Sequence, residues 1–410
     1  MQASDIATIR KAGTFSPTFI AHAAFLLLFP GFFFYQTLLG IGAIGAYLGG
    51  YFTLVALLLL LPLTYAFVLS AKANRNYVSQ VDICLVFLGA YYALVLAVNY
   101  VAGKDSIIVE RYGQALIFCF ETYVIFRLVD LGDKTFLRIV FICLLVMSAI
   151  TYYFSVGGFF FLQALGEAKD PNSLATYQGF ARSYIYTYLI VACTIRYVVV
   201  RYVLYVVVTS ALFLNGARSE FSAVLFLIPV NELYYARHRL YAVFTLVLAS
   251  VILIGGVDYI VAKLPENRIL QLLDLSHSSS ANMRDRFAHD AFRTISENPI
   301  FGDFASYPDG HYAHNVITTW VDFGLFGFVF FSALLLWHGI WLLLHGFFSA
   351  KKDRDFVLAW SFVSITILWA LTAKSMPDMC VGAALGAFAR YRYKKRFVQG
   401  ATLSFGKTRP

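Results

Sequence analysis

The feature that most constrains this chain is its succession of long apolar runs, of which "LVALLLLLPLTYAFVL" (54–69) is the purest. Roughly twenty such residues cross a bilayer as an α-helix, the one single-segment conformation that satisfies its own backbone amides in hydrocarbon. A membrane β-barrel would alternate apolar and polar residues along each strand, and these runs do not. The rest of the composition leaves no soluble alternative. Of 410 residues, 60% are hydrophobic and 13% charged, against about 25% charged in soluble domains. An ordinary soluble enzyme, a nucleic-acid-binding module and a disordered linker are excluded. The expected fold class is an all-α polytopic membrane protein, with residues 1–410 forming one integral membrane domain.

The apolar runs mark twelve candidate spans, near 17–39, 46–70, 81–101, 113–131, 138–158, 181–196, 201–216, 219–235, 240–262, 315–345, 356–373 and 376–391. The net charge of +9 is distributed as an orientation signal. Every second connection holds at least two basic residues: Arg10/Lys11, Lys72/Arg75, Lys134/Arg138, Arg196/Arg201, Arg237/Arg239, Lys351/Lys352/Arg354, and Arg390 with Arg392, Lys394, Lys395 and Arg396. One long loop apart, the intervening connections are poorer in basic residues: Lys104 and Arg111 beside Asp105 and Glu110, Lys169 and Arg182 beside Glu167 and Asp170, Arg218, and Lys374. Positive-inside topology then puts both termini in the cytoplasm. Arg10 and Lys11 precede a long apolar stretch without a small-residue cleavage site, so the first span is expected to be an uncleaved anchor. The five cysteines (Cys84, Cys119, Cys143, Cys193, Cys380) lie in or beside apolar segments without paired spacing and read as packing residues.

One connection is large. Residues 263–314 fall on the external side, and within them "ANMRDRFAHDAFRTISENP" sets Phe287, Ala291 and Ile295 at helical spacing. Arg286, His289 and Arg293 occupy another face, and Asn298-Pro299 ends the helix. Such an amphipathic helix lies on the membrane surface or packs on the bundle.

Three basic positions converge on this face. Arg218 stands in "NGARSEF" at an outer helix start, Arg284 opens the loop helix, and His314 marks re-entry into the membrane. A guanidinium stays charged and grips phosphate through two parallel bonds. Its bland alternative is snorkelling to headgroups. His314 can accept a proton near neutral pH, or can merely cap the next helix. Asp322 lies two turns further on the same stripe, and an acid so deep is a functional or partner-pairing candidate. Glu121 and Asp82 invite the same question without an assigned role. His289, His311 and His314 could form a metal site, but no strong ligand motif surrounds them. The pair Asp353/Asp355 sits in a basic connection on the cytoplasmic side, and no P-loop, GxSxG or HExxH occurs. No metal and no cofactor are expected.

The ordered set "GARSEF", "SSSANMRDRF … ISENPIFGDF" and "HYAHNVITTWVDFGLFGF" resembles the O-antigen polymerase and O-antigen ligase superfamily, the Wzy and WaaL proteins. The resemblance rests on Arg218, Arg284, Asn298-Pro299 with Phe301-Gly302, and His314-Asn315 with Gly324 and Gly327, and it covers roughly a quarter of the chain. Eight residues separate Asn315 from Gly324, one fewer than in the ligase pattern, and the loop from Arg284 to His314 is short for a ligase. The polymerase is therefore preferred.

The resemblance implies a GT-C-like, metal-independent glycosyltransferase in the bacterial inner membrane, with its site facing the periplasm. Its donor would be an undecaprenyl-diphosphate-linked oligosaccharide, and its further partners membrane lipids and a chain-length regulator. Arg218 and Arg284 would hold the diphosphate and stabilise the leaving group. His314 would orient or deprotonate the acceptor hydroxyl, with Asn315, His311, Arg286 and Asp322 in support. The alternatives are a ligase moving finished glycan onto lipid A core, and a lipid-linked-sugar flippase or transporter. Transporters often carry inverted repeats, and none is visible here.

Overall fold

The computed structural model describes residues 16–45, 50–74, 77–160, 162, 177–256, 259, 261–263, 269–270, 279–307, 312–349 and 352–406. Arg10, Lys11, Arg75, Lys169, His311 and Lys351 lie outside the described residues, as does most of 263–278.

In chain order the helices are α1 (Pro17–Gly40), α2 (Tyr51–Ala73), α3 (Gln80–Val101), α4 (Ser106–Leu128), α5 (Lys134–Tyr153), α6 (Tyr177–Ala192), α7 (Val198–Asn215), α8 (Arg218–Tyr235), α9 (Arg239–Gly255), α10 (Ser279–Glu297), α11 (Ile317–Phe347), α12 (Arg354–Thr372) and α13 (Met379–Gly406). A two-residue hairpin, Ser155–Val156 with Phe159–Phe160, is the only strand pairing among the described residues. Seven of the described helices (α1, α2, α3, α5, α7, α11 and α12) are long and apolar enough to cross a membrane. The chain is an all-α, multi-pass membrane protein. The other long helices fall short for visible reasons. Helix α4 carries Glu110, Arg111, Glu121 and Arg127, α8 carries Arg218, Glu220 and Glu232, and α13 runs into Arg390–Arg396. Helices α6 and α9 are short.

Burial sorts the helices into a centre and a belt. Residues 121–127 of α4 and 183–191 of α6 are buried on every side, with most of α12 and the first half of α13. Helices α2, α3, α7 and α9 instead expose large apolar side chains such as Leu61, Val86, Val206 and Ile252, which acyl chains cover and water would not tolerate in such number. The small-residue run "VGAALGAFA" lets α13 approach α4 closely. Thr122 Oγ1 there donates to the Met379 carbonyl at 2.8 Å.

One end of the bundle gathers basic side chains. Arg390 pairs with Asp355 at 2.8 Å, Arg201 with Glu232 at 2.7 Å, and Arg127 donates to the Tyr77 carbonyl at 2.6 Å. Asp82 belongs to this end. It caps α3 through Ser79, accepts a hydrogen bond from Tyr123 and lies 3.6 Å from Arg127. Asp353 caps α12 through the Asp355 amide, so both acids of that pair have structural partners. The long connection, with Arg218, Arg284 and His314, lies at the opposite end.

Candidate functional site

Helix α10 builds the wall of the site. Its Ala291 and Ile295 are buried with Ala313 and Val321, flanked by Tyr307, Ile317 and Trp320. The apolar stripe therefore packs on α11. Arg286, His289 and Arg293 are exposed on the far side, where Arg293 lies 3.5 Å from Asp290. Arg284, seven residues before Ala291, shares its stripe by helical register but is exposed, at the free end of that stripe. Arg286 points away from the site.

The chain after α10 is spliced into α11. Gly324 has φ 65° and ψ −177°, which interrupts the helix. The bond that the Leu325 amide would make to the Val321 carbonyl is replaced by two others. Leu325 donates to the Ile300 carbonyl at 3.0 Å, and the Val321 carbonyl accepts from the Asp303 amide at 2.7 Å. Tyr91 Oη caps the Phe323 carbonyl at 2.6 Å, and Trp320 Nε1 donates to the Pro299 carbonyl at 2.8 Å. Gly302 (φ 69°) and Gly324 face each other's strands, and a Cβ on either would collide with the opposing backbone. The Asn298–Gly302 stretch and the first glycine of "GLFG" are thus two halves of one joint.

Asp322 locks the same joint. Fully buried, it accepts from Tyr112 at 2.6 Å, from Tyr307 at 2.6 Å and from the Ala305 amide at 3.2 Å. Lys104 adds an ion pair to Asp303 at 2.8 Å. Of the two roles open to this deep acid, pairing is what its contacts supply.

His314 follows in a left-handed backbone conformation (φ 54°), which is uncommon outside glycine and costs about 1–3 kcal/mol. Its ring lies 3.9 Å from that of Tyr312 and 6.3 Å from that of Phe287 on α10. Burial, helped by the Arg284 guanidinium, lowers its pKa to about 4. The imidazole is accordingly neutral at ordinary pH and beside a permanent cation. Asn315 Oδ1 accepts from the Ile317 amide at 2.9 Å, so this side chain caps α11.

The α12–α13 turn, residues 373–378, ties the remaining pieces together. Val316 donates to the Ala370 carbonyl at 2.6 Å, and the Met376 amide donates to Thr319 Oγ1 at 3.2 Å. Lys374 pairs with Glu220 at 2.8 Å and sits 3.7 Å above the Trp369 ring, whose Nε1 donates to the Ser219 carbonyl at 2.9 Å. Asp378 pairs with Arg182 of α6 at 2.8 Å and lies 3.8 Å from Lys374. This quartet of two cations and two anions balances internally, and its Lys374 and Asp378 line a small cleft with Ser375 and Trp369. Burial pushes the Tyr312 phenol up, Asp378 adds to that, and Arg182 and Arg284 oppose it. Tyr312 is therefore within electrostatic reach of both the quartet and Arg284.

The structure sets Arg284 within electrostatic reach of His314, and half-buried Arg218 at the start of α8, next in sequence to Ser219, which donates to the quartet's Glu220. Among the described residues no three His, Cys, Asp or Glu side chains gather as a metal site requires. Sequence reasoning missed Glu220, Lys374, Arg182 and Asp378 as a unit. The available signal was that Arg182 and Lys374 fall on the external side of the charge alternation. Chemically the arrangement offers a neutral proton acceptor beside a guanidinium, with a second guanidinium on a firmly held helix start.

Fold and site together define a multi-pass α-helical membrane protein with a cationic, histidine-bearing site at the loop end of its bundle. No protein-family model matches the chain, and a search of curated proteins finds no significant relative.

Proposed function

We propose that this chain is a metal-independent glycosyltransferase of GT-C-like architecture, crossing the bacterial inner membrane twelve times with its site on the periplasmic face. In this reading α4, α6, α8, α9 and α13 complete the twelve crossings, and α10 belongs to the periplasmic loop. The reaction is polymerisation of undecaprenyl-diphosphate-linked repeat units. Arg218 and Arg284 hold the diphosphate and stabilise its charge as it leaves. His314 takes the proton of the acceptor hydroxyl as that oxygen attacks the anomeric carbon.

The observation that carries the reading is a half-buried, neutral His314 imidazole within electrostatic reach of the Arg284 guanidinium, on two elements held together by the spliced joint at Gly302 and Gly324. Supporting it, two of the stretches behind the O-antigen polymerase resemblance, Asn298–Gly302 and the glycine at 324, meet in one local joint. The test is reconstitution of the purified protein in vesicles with a lipid-diphosphate-linked repeat unit and a chelator. Longer chains on the carrier lipid are expected. Their absence, with transfer to lipid A core instead, would favour the ligase.

A transporter of lipid-linked sugar is the second reading, and one observation favours it. Glu121, in the middle of α4, is fully buried, and neither carboxylate oxygen has a hydrogen-bond partner. Acids so placed are common in proton-coupled carriers. Carrier lipid flipped across vesicles, with no chain growth and with sensitivity to Glu121→Gln, would support that reading over the enzyme.

A further inference from the structure

We infer that the tip of the spliced segment, Ile300–Phe301, is a membrane anchor whose side chains insert among the acyl chains of the surrounding bilayer. Phe301 is 88% exposed and Ile300 63% exposed, an unusual place for large apolar side chains on a connection. Their backbone is not free to turn them inward. The Ile300 carbonyl is bound to Leu325, Gly302 to Asn298, and Pro299 to Trp320. The splice therefore holds both side chains outward.

What covers them follows from where the splice lies. Helix α11 has 31 residues, about 46 Å at 1.5 Å per residue, whereas the hydrocarbon core is about 30 Å thick. Gly324 is seven residues from the helix start, about 10 Å along it, which sets the break near the edge of that core. The neighbouring surface is already lipid-facing: Leu325, Phe326 and Val329 of α11 and Phe87 of α3 are exposed on apolar helices, and Phe326 packs against Phe87. Ile300 and Phe301 continue this surface across the joint. Trp320, hydrogen-bonded to Pro299 and stacked on Phe328 at 4.9 Å, is the residue type that marks a bilayer interface. Just above, α10 exposes Arg286 and Arg293, whose charge suits lipid phosphates.

The chemical partner is the acyl region of a phospholipid, and the test uses the full chain in vesicles of phosphatidylcholine and phosphatidylglycerol. Phe301→p-benzoylphenylalanine is a mild change at so exposed a site, and irradiation followed by intact-mass analysis identifies what the ring touches. Phospholipid adducts are expected at least several-fold above those from the same replacement at His289, on the outer polar face of α10. Equal yields at the two positions, or protein–protein products in place of lipid adducts, would overturn the proposal. A second measurement needs no photochemistry. Phe301→Asn should speed amide exchange over residues 298–306 in vesicles several-fold, and unchanged exchange would equally count against the anchor.

Discussion

At the residue scale, the two guanidiniums and the imidazole make distinct demands. If Arg218 and Arg284 grip a diphosphate, Arg218→Lys and Arg284→Lys keep the charge and lose the planar fork. Charged hydrogen bonds of this kind contribute about 1.5–3 kcal/mol, so turnover should fall roughly ten- to hundred-fold in each. Full activity in both lysine variants would leave the arginines as headgroup contacts. His314→Ala should give a membrane-inserted protein slowed by about 10²–10⁴. In cells, a polymerase so disabled leaves lipid A core capped with a single repeat unit, whereas a ligase leaves long chains on the carrier. The pH dependence has a defined sign. Burial and Arg284 both lower the His314 pKa, to about 4, so the base is deprotonated above that pH and kcat/KM should fall only in acid. Donor diphosphate would offset Arg284 and raise the pKa, so the acid limb of kcat should lie above that of kcat/KM. A single limb near 6.5 in both would contradict this environment.

At the element scale, the splice and the quartet decide how firmly the site is held. Gly324→Ala puts a side chain at φ 65° and ψ −177°, a region essentially confined to glycine, at about 1–3 kcal/mol, and against the Ile300 carbonyl. The thermal midpoint in detergent should drop, while Gly255→Ala, which meets nothing within 4 Å, should leave it unchanged. Lys374→Met strips Glu220 of its partner inside the bundle, an imbalance worth about 3–5 kcal/mol. Adding Glu220→Gln should recover part of that loss. Failure of the double variant to improve on the single one would mean that the quartet is not a coupled unit. These elements also show what the sequence could disclose. Apolar runs and the 3.6-residue spacing around Ala291 and Ile295 mark helices because they are local patterns. Arg284 and His314 were legible because both flank one loop. The quartet was not, since Glu220 and Lys374 stand 154 residues apart and Arg182 and Asp378 stand 196 apart. Nor does any local pattern announce that Asp322 would find Tyr112 and Tyr307, or that a glycine at 324 would open a helix to a loop.

At the scale of the whole molecule, orientation decides which compartment the site meets. Cysteines introduced at exposed Ser296 on α10 and exposed Ser349 after α11 should react differently with an impermeant maleimide added to intact cells. Reaction above the unsubstituted background is expected at Ser296→Cys alone. Reaction at Ser349→Cys instead would invert the topology and withdraw the proposed chemistry with it.

The joint at Gly324 also bears on how the protein is made. A helix with an open turn enters the bilayer with orphaned amide and carbonyl groups, each costing several kcal/mol in hydrocarbon. Here the groups that satisfy them are supplied by Ile300 and Asp303, which precede Leu325 and Val321 by 25 and 18 residues. They have already left the ribosome when the break emerges. The closing loop is short, so its entropic cost is small, and the repair can form during insertion instead of waiting for the bundle. Lengthening the chain between residues 303 and 321 would delay that repair, whereas lengthening it ahead of α10 would not. The order of synthesis is part of what makes an interrupted helix tolerable at this depth.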